Sequence, residues 1–522
     1  MSAFFLRAAA CLYAIVLMLL KLGPASVRPE TAMPPYLEHL AAFGVLGFLL
    51  VTGYRNRGMR LIFYGGAFAA FLEFCQIWVP GRHAELIDLT TDVSGIWIGV
   101  AVGLILRSGI RAAHMNLVDD GACAKIDQMS RPDTIVFVIN SLTVGGAEHA
   151  LSDLLAYMED ELRHHDVHLV LLDAEEDRHP VPPWVQRHVL NANSSFFWST
   201  LSLIRLLREL KPAVTVSFLN RANCATVISS IILGTPCILS ERTHPTGRFG
   251  SGLGAFLSRA IMRLTYPRSN QVVAVSEGVR ADLITNFCVE PSKVCVIYNP
   301  IDTNRISERA REAPSIEISR PYIVSAGRLV PSKNFPLLIE AYRSSGINDN
   351  LVILGEGNAR DEIEALVSRL GLQERVFLPG HIQNPYPVMR EAGLFVSSSN
   401  LEGFPNAIIE AMSLGCPVVA TDCETGPMEI LTGKLQGRCT DVTFAEFGIL
   451  VPVNSVDMLC KALRTACGGG IRTRYSELGK KRARDFGMQS SRDQYWSLIA
   501  YHMRSARNVH GAQTSNKWAE DS

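Results

Sequence analysis

Four predominantly apolar runs open the chain, at residues 3–22, 36–53, 61–79 and 86–106, with short polar loops between them. At ~1.5 Å of rise per residue each is long enough to cross a hydrocarbon core of roughly 30 Å. The sequence therefore predicts a membrane unit of four spans over residues 1–111. These runs account for a composition of 48% hydrophobic and only 19% charged residues, against about a quarter charged in ordinary soluble proteins. Arg7 followed by the stretch Ala8 to Leu20 also has the shape of a signal peptide, and its cleavage leaves the orientation of the other spans unchanged.

Orientation follows from basic residues. With the N-terminus inside, the inner side carries Arg7, Arg55, Arg57, Arg60, Arg107 and Arg111, and the outer side Lys21, Arg28 and Arg82, six against three. The positive-inside rule then sets both ends of the unit inside. Everything after residue 111 is expected in the cytoplasm and the chain in the inner membrane.

Ionisable groups within spans are costly, about 2.5–3.5 kcal/mol each on insertion scales, so each needs a reason. Glu73 and Gln76 share one face of the third run, Asp88 and Asp92 one face of the fourth. With His39 and Arg82 they are expected to form one polar cluster at the outer leaflet. Two readings of it stand open, mutual satisfaction that glues the bundle and a site for a lipid headgroup. Gly95, Gly99 and Gly103 give the fourth run a small-residue face for close helix packing. His39 with Phe43, Glu73, Gln76, Arg82, Asp88, Asp92, Gly95 and Gly99 together resemble the VanZ-like family of four-span membrane proteins, with Asp92 where that family usually has Asn. The resemblance implies a link to envelope lipids.

The stretch 112–132 is polar and lacks periodicity, a linker in which Asp119 and Asp120 read as solvated charges. Beyond it β-branched runs alternate with helical segments, first at 134–140, 167–172, 214–219, 237–241, 272–276 and 294–299, then at 322–327, 351–355, 376–380, 394–399, 417–421 and 448–453. Each series reads as a parallel sheet flanked by helices. Two consecutive doubly wound domains, 133–302 and 303–485, leave a cleft between the carboxyl ends of their strands. An amphipathic segment at 486–505 and a polar, disordered tail at 506–522 complete the expected organisation.

Charge and cysteine content narrow the function. Lys plus Arg equals Asp plus Glu at 50 each, so no global basic field recruits nucleic acid. The 12 cysteines are scattered, without metal-ligand spacing, and read as reduced thiols.

The loops carry chemistry. Gly145 and Gly146 precede a helix start, where free backbone N–H groups face an anion. Arg328 and Lys333 lie five apart in a loop after a strand, a fork and a point charge suited to a diphosphate. Pro405 opens a helix after Glu402 and Gly403, placing amides of Gly403, Phe404, Pro405 and Asn406 at its start, with Glu410 about a turn and a half further on, where a carboxylate can accept from vicinal sugar hydroxyls. Gly426 repeats the turn before a further helix. Arg242 and His244 follow the strand at 237–241, suited to an acceptor phosphate and to orienting or deprotonating an acceptor hydroxyl. His149 and His381 read as surface residues or supports behind the site.

Gly145-Gly146-Ala147-Glu148, the pair Arg328 and Lys333, and Glu402-x7-Glu410 together resemble the retaining glycosyltransferases of family 4, with the two-domain α/β GT-B fold. The resemblance implies that Glu410 binds the donor ribose, Glu402 the transferred sugar, Gly403 to Asn406 the sugar and phosphate through backbone amides, and Gly380 to Asn384 the base. It implies a nucleotide sugar, UDP-linked, as donor. It also implies front-face attack without a protein nucleophile, and the absence of Asp-x-Asp from this region agrees with chemistry that needs no metal. A membrane anchor favours a lipid-linked or envelope-polysaccharide acceptor. Two other readings are a sugar-nucleotide epimerase or phosphorylase on the same fold, and a non-catalytic sensor of nucleotide sugar.

Overall fold

The computed structural model describes residues 10, 12–19, 21, 34–53, 58–76, 87–100, 102, 133–143, 145–250, 252–434, 438–468 and 470–520. It divides into two compact units, Met1–Arg131 and Pro132–Ser522.

In the first unit, α1 (Pro35–Gly53) and α2 (Gly58–Gln76) are helices, and residues 12–19 and 87–100 are helical as well. Among the described residues no helix is long and apolar enough to cross a membrane, which falls short of the four complete spans expected. Residues 87–100 pack closely on α1 through glycine. A Cβ on Gly95 would strike the Leu40 carbonyl oxygen, and one on Gly99 that of Gly44. Phe43, Leu46, Leu72 and Ile96 form the buried core between the helices.

The second unit holds two seven-stranded sheets. In the first, β1 (Thr134–Ile139), β2 (Asp166–Leu171), β3 (Gln186–Val189), β4 (Val214–Phe218), β5 (Cys237–Glu241), β6 (Gln271–Ala274) and β7 (Val294–Val296) run parallel in the order 3-2-1-4-5-6-7. In the second, β8 (Tyr322–Ala326), β9 (Asn350–Leu354), β10 (Val376–Gly380), β11 (Leu394–Ser397), β12 (Val418–Thr421), β13 (Thr443–Phe444) and β14 (Ile449–Val451) follow the order 10-9-8-11-12-14-13. Only β13 is antiparallel to its neighbour there. Central strand β4 is buried from end to end and β1 after its first residue, as helices on both faces of a parallel sheet require. The edge strands β3 and β13 have no apolar run, Gln-Arg-His-Val and Thr-Phe. They join by backbone pairing alone, so hydrophobic patterning passes over them.

Strand order reverses between β1 and β4 in one sheet and between β8 and β11 in the other. At such switch points the connections diverge to opposite faces and leave a crevice beyond the strand ends. The lobes are joined by a continuous apolar core, in which Phe404 lies 5.1 Å from Tyr298 and 5.3 Å from Phe486, ring centre to ring centre. The chain then returns: Ile301 pairs with Gly487, and the last helix sends Tyr495, Ile499 and Met503 into the first lobe's core. That helix runs Met488–Glu520, which corrects the disordered tail expected from 506. No proline follows residue 485, so nothing removes a backbone N–H from a helix already nucleated.

Candidate functional site

Five helices and their leading loops build the site: α3 (Gly146–Tyr157), α4 (Glu277–Phe287), α5 (Asn406–Ser413), α6 (Pro427–Thr432) and α7 (Met488–Glu520). The loops after β8 and β11 flank the second switch point and are stitched together. Asn400 N–H donates to Ser332 O at 2.8 Å, Ser398 Oγ to Lys333 O at 2.9 Å, and Lys333 Nζ to Glu402 Oε1 at 2.5 Å. The same Glu402 oxygen receives Ser399 Oγ at 2.6 Å. Gly327 lies under the Lys333 side chain, so the aliphatic stem rests on bare backbone and delivers the ammonium to the crevice.

Gly403 meets the opposite lobe directly, because a Cβ there would strike the Arg242 carbonyl oxygen and Thr243 Cα. Ser276 Oγ donates to Gly403 O at 3.0 Å across the same seam. Gly426, at φ +96°, lies against Pro405 and leaves no room for a side chain. Phe404 is 5% exposed and spent on the interlobe aromatic cluster, which leaves only its backbone for a ligand. Asn406 is bonded through Oδ1 to Asn299 Nδ2 at 2.6 Å, and its Nδ2 lies over Gly146. The glycine loop after β1 and the start of α5 thus face each other.

Glu148 folds back over Gly145. Burial pushes its carboxyl above the ordinary value, while amides at the start of α3 and the charges of Arg328 and Arg242 oppose the rise. Glu410 is likewise pushed up by burial, opposed by His149 from α3. His149 Nε2 is 3.0 Å from Asp153 Oδ2, and that bond raises the imidazole's own value. Arg309 lies 5.5 Å over the Tyr386 ring, whose hydroxyl is pushed up by burial and by the Glu410 charge. Around Glu410 the structure therefore assembles His149, Asp153, Tyr386, Arg305 and Arg309, of which spacing in the sequence singled out none as a ligand contact. At Gly380–Asn384, Asn384 Nδ2 donates to Arg309 O at 2.9 Å and to Glu312 Oε2 at 2.7 Å.

His244 is buried and caps the short helix Pro245–Arg248, accepting Gly247 N–H on Nδ1 at 3.2 Å. Glu424 Oε2 is 3.3 Å from that nitrogen and Asp282 Oδ2 3.6 Å from Nε2. The fold thus uses the Nδ1 side of the ring as a helix cap and sets Nε2 near a buried carboxylate. Glu429 holds the lobes together: it accepts Glu277 N–H at 3.2 Å and Tyr298 OH at 2.5 Å, and burial pushes its carboxyl up. Among the described residues no group of three His, Cys, Asp or Glu side chains is placed to hold a metal ion.

In the membrane-like unit, His39 Nδ1 is 2.9 Å from Asp92 Oδ1 and His39 Nε2 3.7 Å from Asp88 Oδ2. Lys21, read from sequence as an outer loop charge, donates to Asp92 Oδ2 at 2.8 Å and joins this buried cluster. The side chains of Glu73 and Gln76, and all of Arg82, lie outside the described residues.

The chain matches three family models: VanZ/LLP1 over residues 10–107, Glycosyltransferase Family 4 over 144–305 and Glycosyl transferases group 1 over 307–481. It is 31% identical over 361 residues to an N-acetylgalactosamine-N,N'-diacetylbacillosaminyl-diphospho-undecaprenol 4-alpha-N-acetylgalactosaminyltransferase of Campylobacter jejuni, covering 67% of this chain and 94% of the relative. A second Campylobacter jejuni relative, a GalNAc-alpha-(1->4)-GalNAc-alpha-(1->3)-diNAcBac-PP-undecaprenol alpha-1,4-N-acetyl-D-galactosaminyltransferase, is 24% identical and covers 70% of this chain and 98% of its own. Among solved structures, Anabaena HepE in complex with UDP superposes with a TM-score of 0.58 at 20% identity, over 70% of this chain and all of that one, 100%. Sucrose-phosphate synthase of Thermosynechococcus elongatus gives 0.60 at 15% identity, over 72% and 100%. These likenesses fix the GT-B fold. The chain belongs to the family 4 glycosyltransferases and carries a VanZ-like unit ahead of the transferase.

Proposed function

We propose that this glycosyltransferase moves a sugar from a UDP-sugar to a lipid-linked or envelope-polysaccharide acceptor at the cytoplasmic face of the inner membrane, with retention at the anomeric carbon. One observation carries the donor side: Lys333 and Glu402 meet at the switch point beside Arg328, facing the glycine loop of the opposite lobe. The acceptor class is suggested by the Campylobacter relatives, whose names describe diphospho-undecaprenol acceptors. UDP is suggested by HepE complexes with UDP and UDP-glucose.

In this reading residues 133–302 hold the acceptor and 303–485 the donor. The anomeric C–O bond breaks and UDP leaves with the electron pair. The acceptor oxygen attacks from the same face, and its proton passes to the departing diphosphate. Charge grows on that diphosphate, so catalysis consists mainly of fixed positive groups placed to meet it. Arg328, Lys333 and the amides of Gly403 to Asn406 supply them without a metal, and Glu410 takes the ribose hydroxyls. The VanZ-like unit, with four spans and both ends inside, holds the transferase at the surface where its acceptor resides.

The test uses full-length protein in detergent with a panel of nucleotide sugars and a crude lipid extract, alongside Lys333→Ala and Glu410→Ala. Nucleotide release and a glycosylated lipid with one donor, lost in both variants, support the proposal. No turnover with any donor despite nucleotide binding overturns the lipid acceptor.

A further inference from the structure

Arg242 presents an anomaly of charge. It is 7% exposed, yet its guanidinium makes a single hydrogen bond, from Nη1 to Tyr495 OH at 3.3 Å. Among the described residues, Nε and Nη2 find no acceptor. Glu241, its chain neighbour, is committed elsewhere, accepting Thr243 Oγ1 at 2.9 Å and Tyr266 OH at 2.6 Å. Burying an ion without a hydrogen-bonded counter-charge is costly, and proteins rarely do so without an anionic partner.

The surroundings hold the group in place. Tyr495 comes from α7, accepts or donates with Ser240 Oγ at 2.9 Å and stacks on Phe218 at 6.2 Å. The guanidinium lies over that same Phe218 ring at 5.7 Å. Phe218 ends β4, Arg242 follows β5, and Glu148 follows β1, so all three sit at the carboxyl ends of strands about the first switch point. Glu148 faces both Arg242 and Arg328. Arg242 feels the charges of Glu148 and Glu241, but among the described residues its hydrogen bond goes to Tyr495. Glu148 is itself drawn back against Gly145 and the helix amides.

We propose that Arg242, braced by Tyr495 of the returning C-terminal helix, binds a phosphate oxyanion from the first-lobe side of the cleft, opposite Arg328 and Lys333. Nε and Nη2 are enclosed as well as unpartnered, so their fork, which suits two oxygens of one phosphoryl group, is reached only as the packing over it opens. Building on the transferase reading, the phosphate belongs either to a diphosphate-linked lipid acceptor or to the donor. The last helix, distant in sequence, then serves as a positioning element for the substrate.

The experiment measures binding, not turnover, on full-length protein in detergent. Two probes are titrated, UDP alone and a polyprenyl diphosphate in the presence of UDP, against wild type, Arg242→Gln, Arg242→Lys and Tyr495→Phe. A tenfold or greater weakening for polyprenyl diphosphate in Arg242→Gln, with UDP unchanged, assigns the phosphate to the acceptor. The converse assigns it to the donor. Arg242→Lys keeps the charge and loses the fork, so a loss of about fivefold is expected there, and a smaller one in Tyr495→Phe. Should Arg242→Gln fail to fold, Arg242→Lys decides alone. Unchanged affinity for both probes in a folded Arg242 variant overturns the proposal. Absence of turnover with any donor bears on the transferase reading only, because neither titration requires chemistry.

Discussion

Lys333 Nζ lies 2.5 Å from Glu402 Oε1 across 69 residues of chain. The pair is 24% and 11% exposed, so the ammonium reaches the crevice already paired and must share itself with an incoming diphosphate. Lys333→Ala is expected to lower kcat/KM by about 10²–10³-fold, the loss typical when one preorganised electrostatic group is removed. Glu402→Gln frees the lysine while removing the proposed contact to the sugar. A fall in kcat with UDP affinity held or tightened is therefore expected, read from initial rates beside calorimetric UDP titration. Equal loss of UDP affinity in both variants contradicts this division of labour.

In the proposed reading Glu410 ties donor binding to pH. Burial raises its carboxyl above the ordinary value, so the folded protein without nucleotide binds more protons here than the unfolded chain does. This group's contribution to stability is therefore present at low pH and falls as pH rises from the ordinary carboxylate value through the raised one. If Glu410 takes the ribose hydroxyls as proposed, their donation favours the ionised form, so nucleotide binding releases a proton in that window and UDP affinity rises with pH across it. Calorimetry in buffers of different ionisation enthalpy checks this. UDP's own phosphate titrates near pH 6, so the difference between wild type and Glu410→Gln is the quantity read, and no difference refutes the coupling.

What the sequence made legible was local. The tight turns that open helices at the switch points announce themselves by glycine and proline beside a strand end, as Gly145, Gly403, Pro405 and Gly426 do. Lys333 and Glu402 were recognisable by type and spacing. Partners that meet through tertiary structure were silent: Asp153 and Tyr386 about Glu410, Tyr495 behind Arg242, Lys21 with Asp92. No periodicity encodes which buried polar groups face one another. His244, conspicuous by type, has a second use that its type did not announce, as a helix cap.

Asp92 anchors the polar core of the first unit, accepting from Lys21 and facing His39, and is 0% exposed. Removing one member of a buried ionic cluster leaves the others desolvated without their counter-charge, typically costing 3–5 kcal/mol. Asp92→Ala is expected to destabilise this unit by about that much, and Asp92→Asn, which keeps an acceptor, by less. Thermal melts in detergent with limited proteolysis report the order, and equal melts for all three proteins dismiss the cluster as a structural element.

Glu429 lies on the seam between lobes, where it accepts Glu277 N–H and Tyr298 OH. Glu429→Ala leaves buried donors unsatisfied, at a typical cost of about 1–3 kcal/mol. Glu429→Gln retains one acceptor oxygen and is expected to recover part of it. The carboxyl is pushed up by burial, so the stability lost in Glu429→Gln should shrink as pH rises from the ordinary carboxylate value through the raised one. Denaturant midpoints across pH measure this, and a loss growing with pH reverses the assignment.

Gly403 separates the two lobes by the width of a hydrogen atom. A methyl group there meets the Arg242 carbonyl oxygen and Thr243 Cα, backbone atoms that cannot rotate aside. Gly403→Ala must therefore wedge the lobes apart or displace the loop that carries Glu402. Either movement shifts groups that act together by ångström distances, and misplacement of about 1 Å costs roughly 10²-fold in rate. The expected result is a loss of that order in kcat with UDP affinity changed less than threefold, since Arg328, Lys333 and Glu410 stay within one lobe. A loss confined to UDP affinity would instead place the effect of Gly403 within the donor lobe and exclude the seam as its cause.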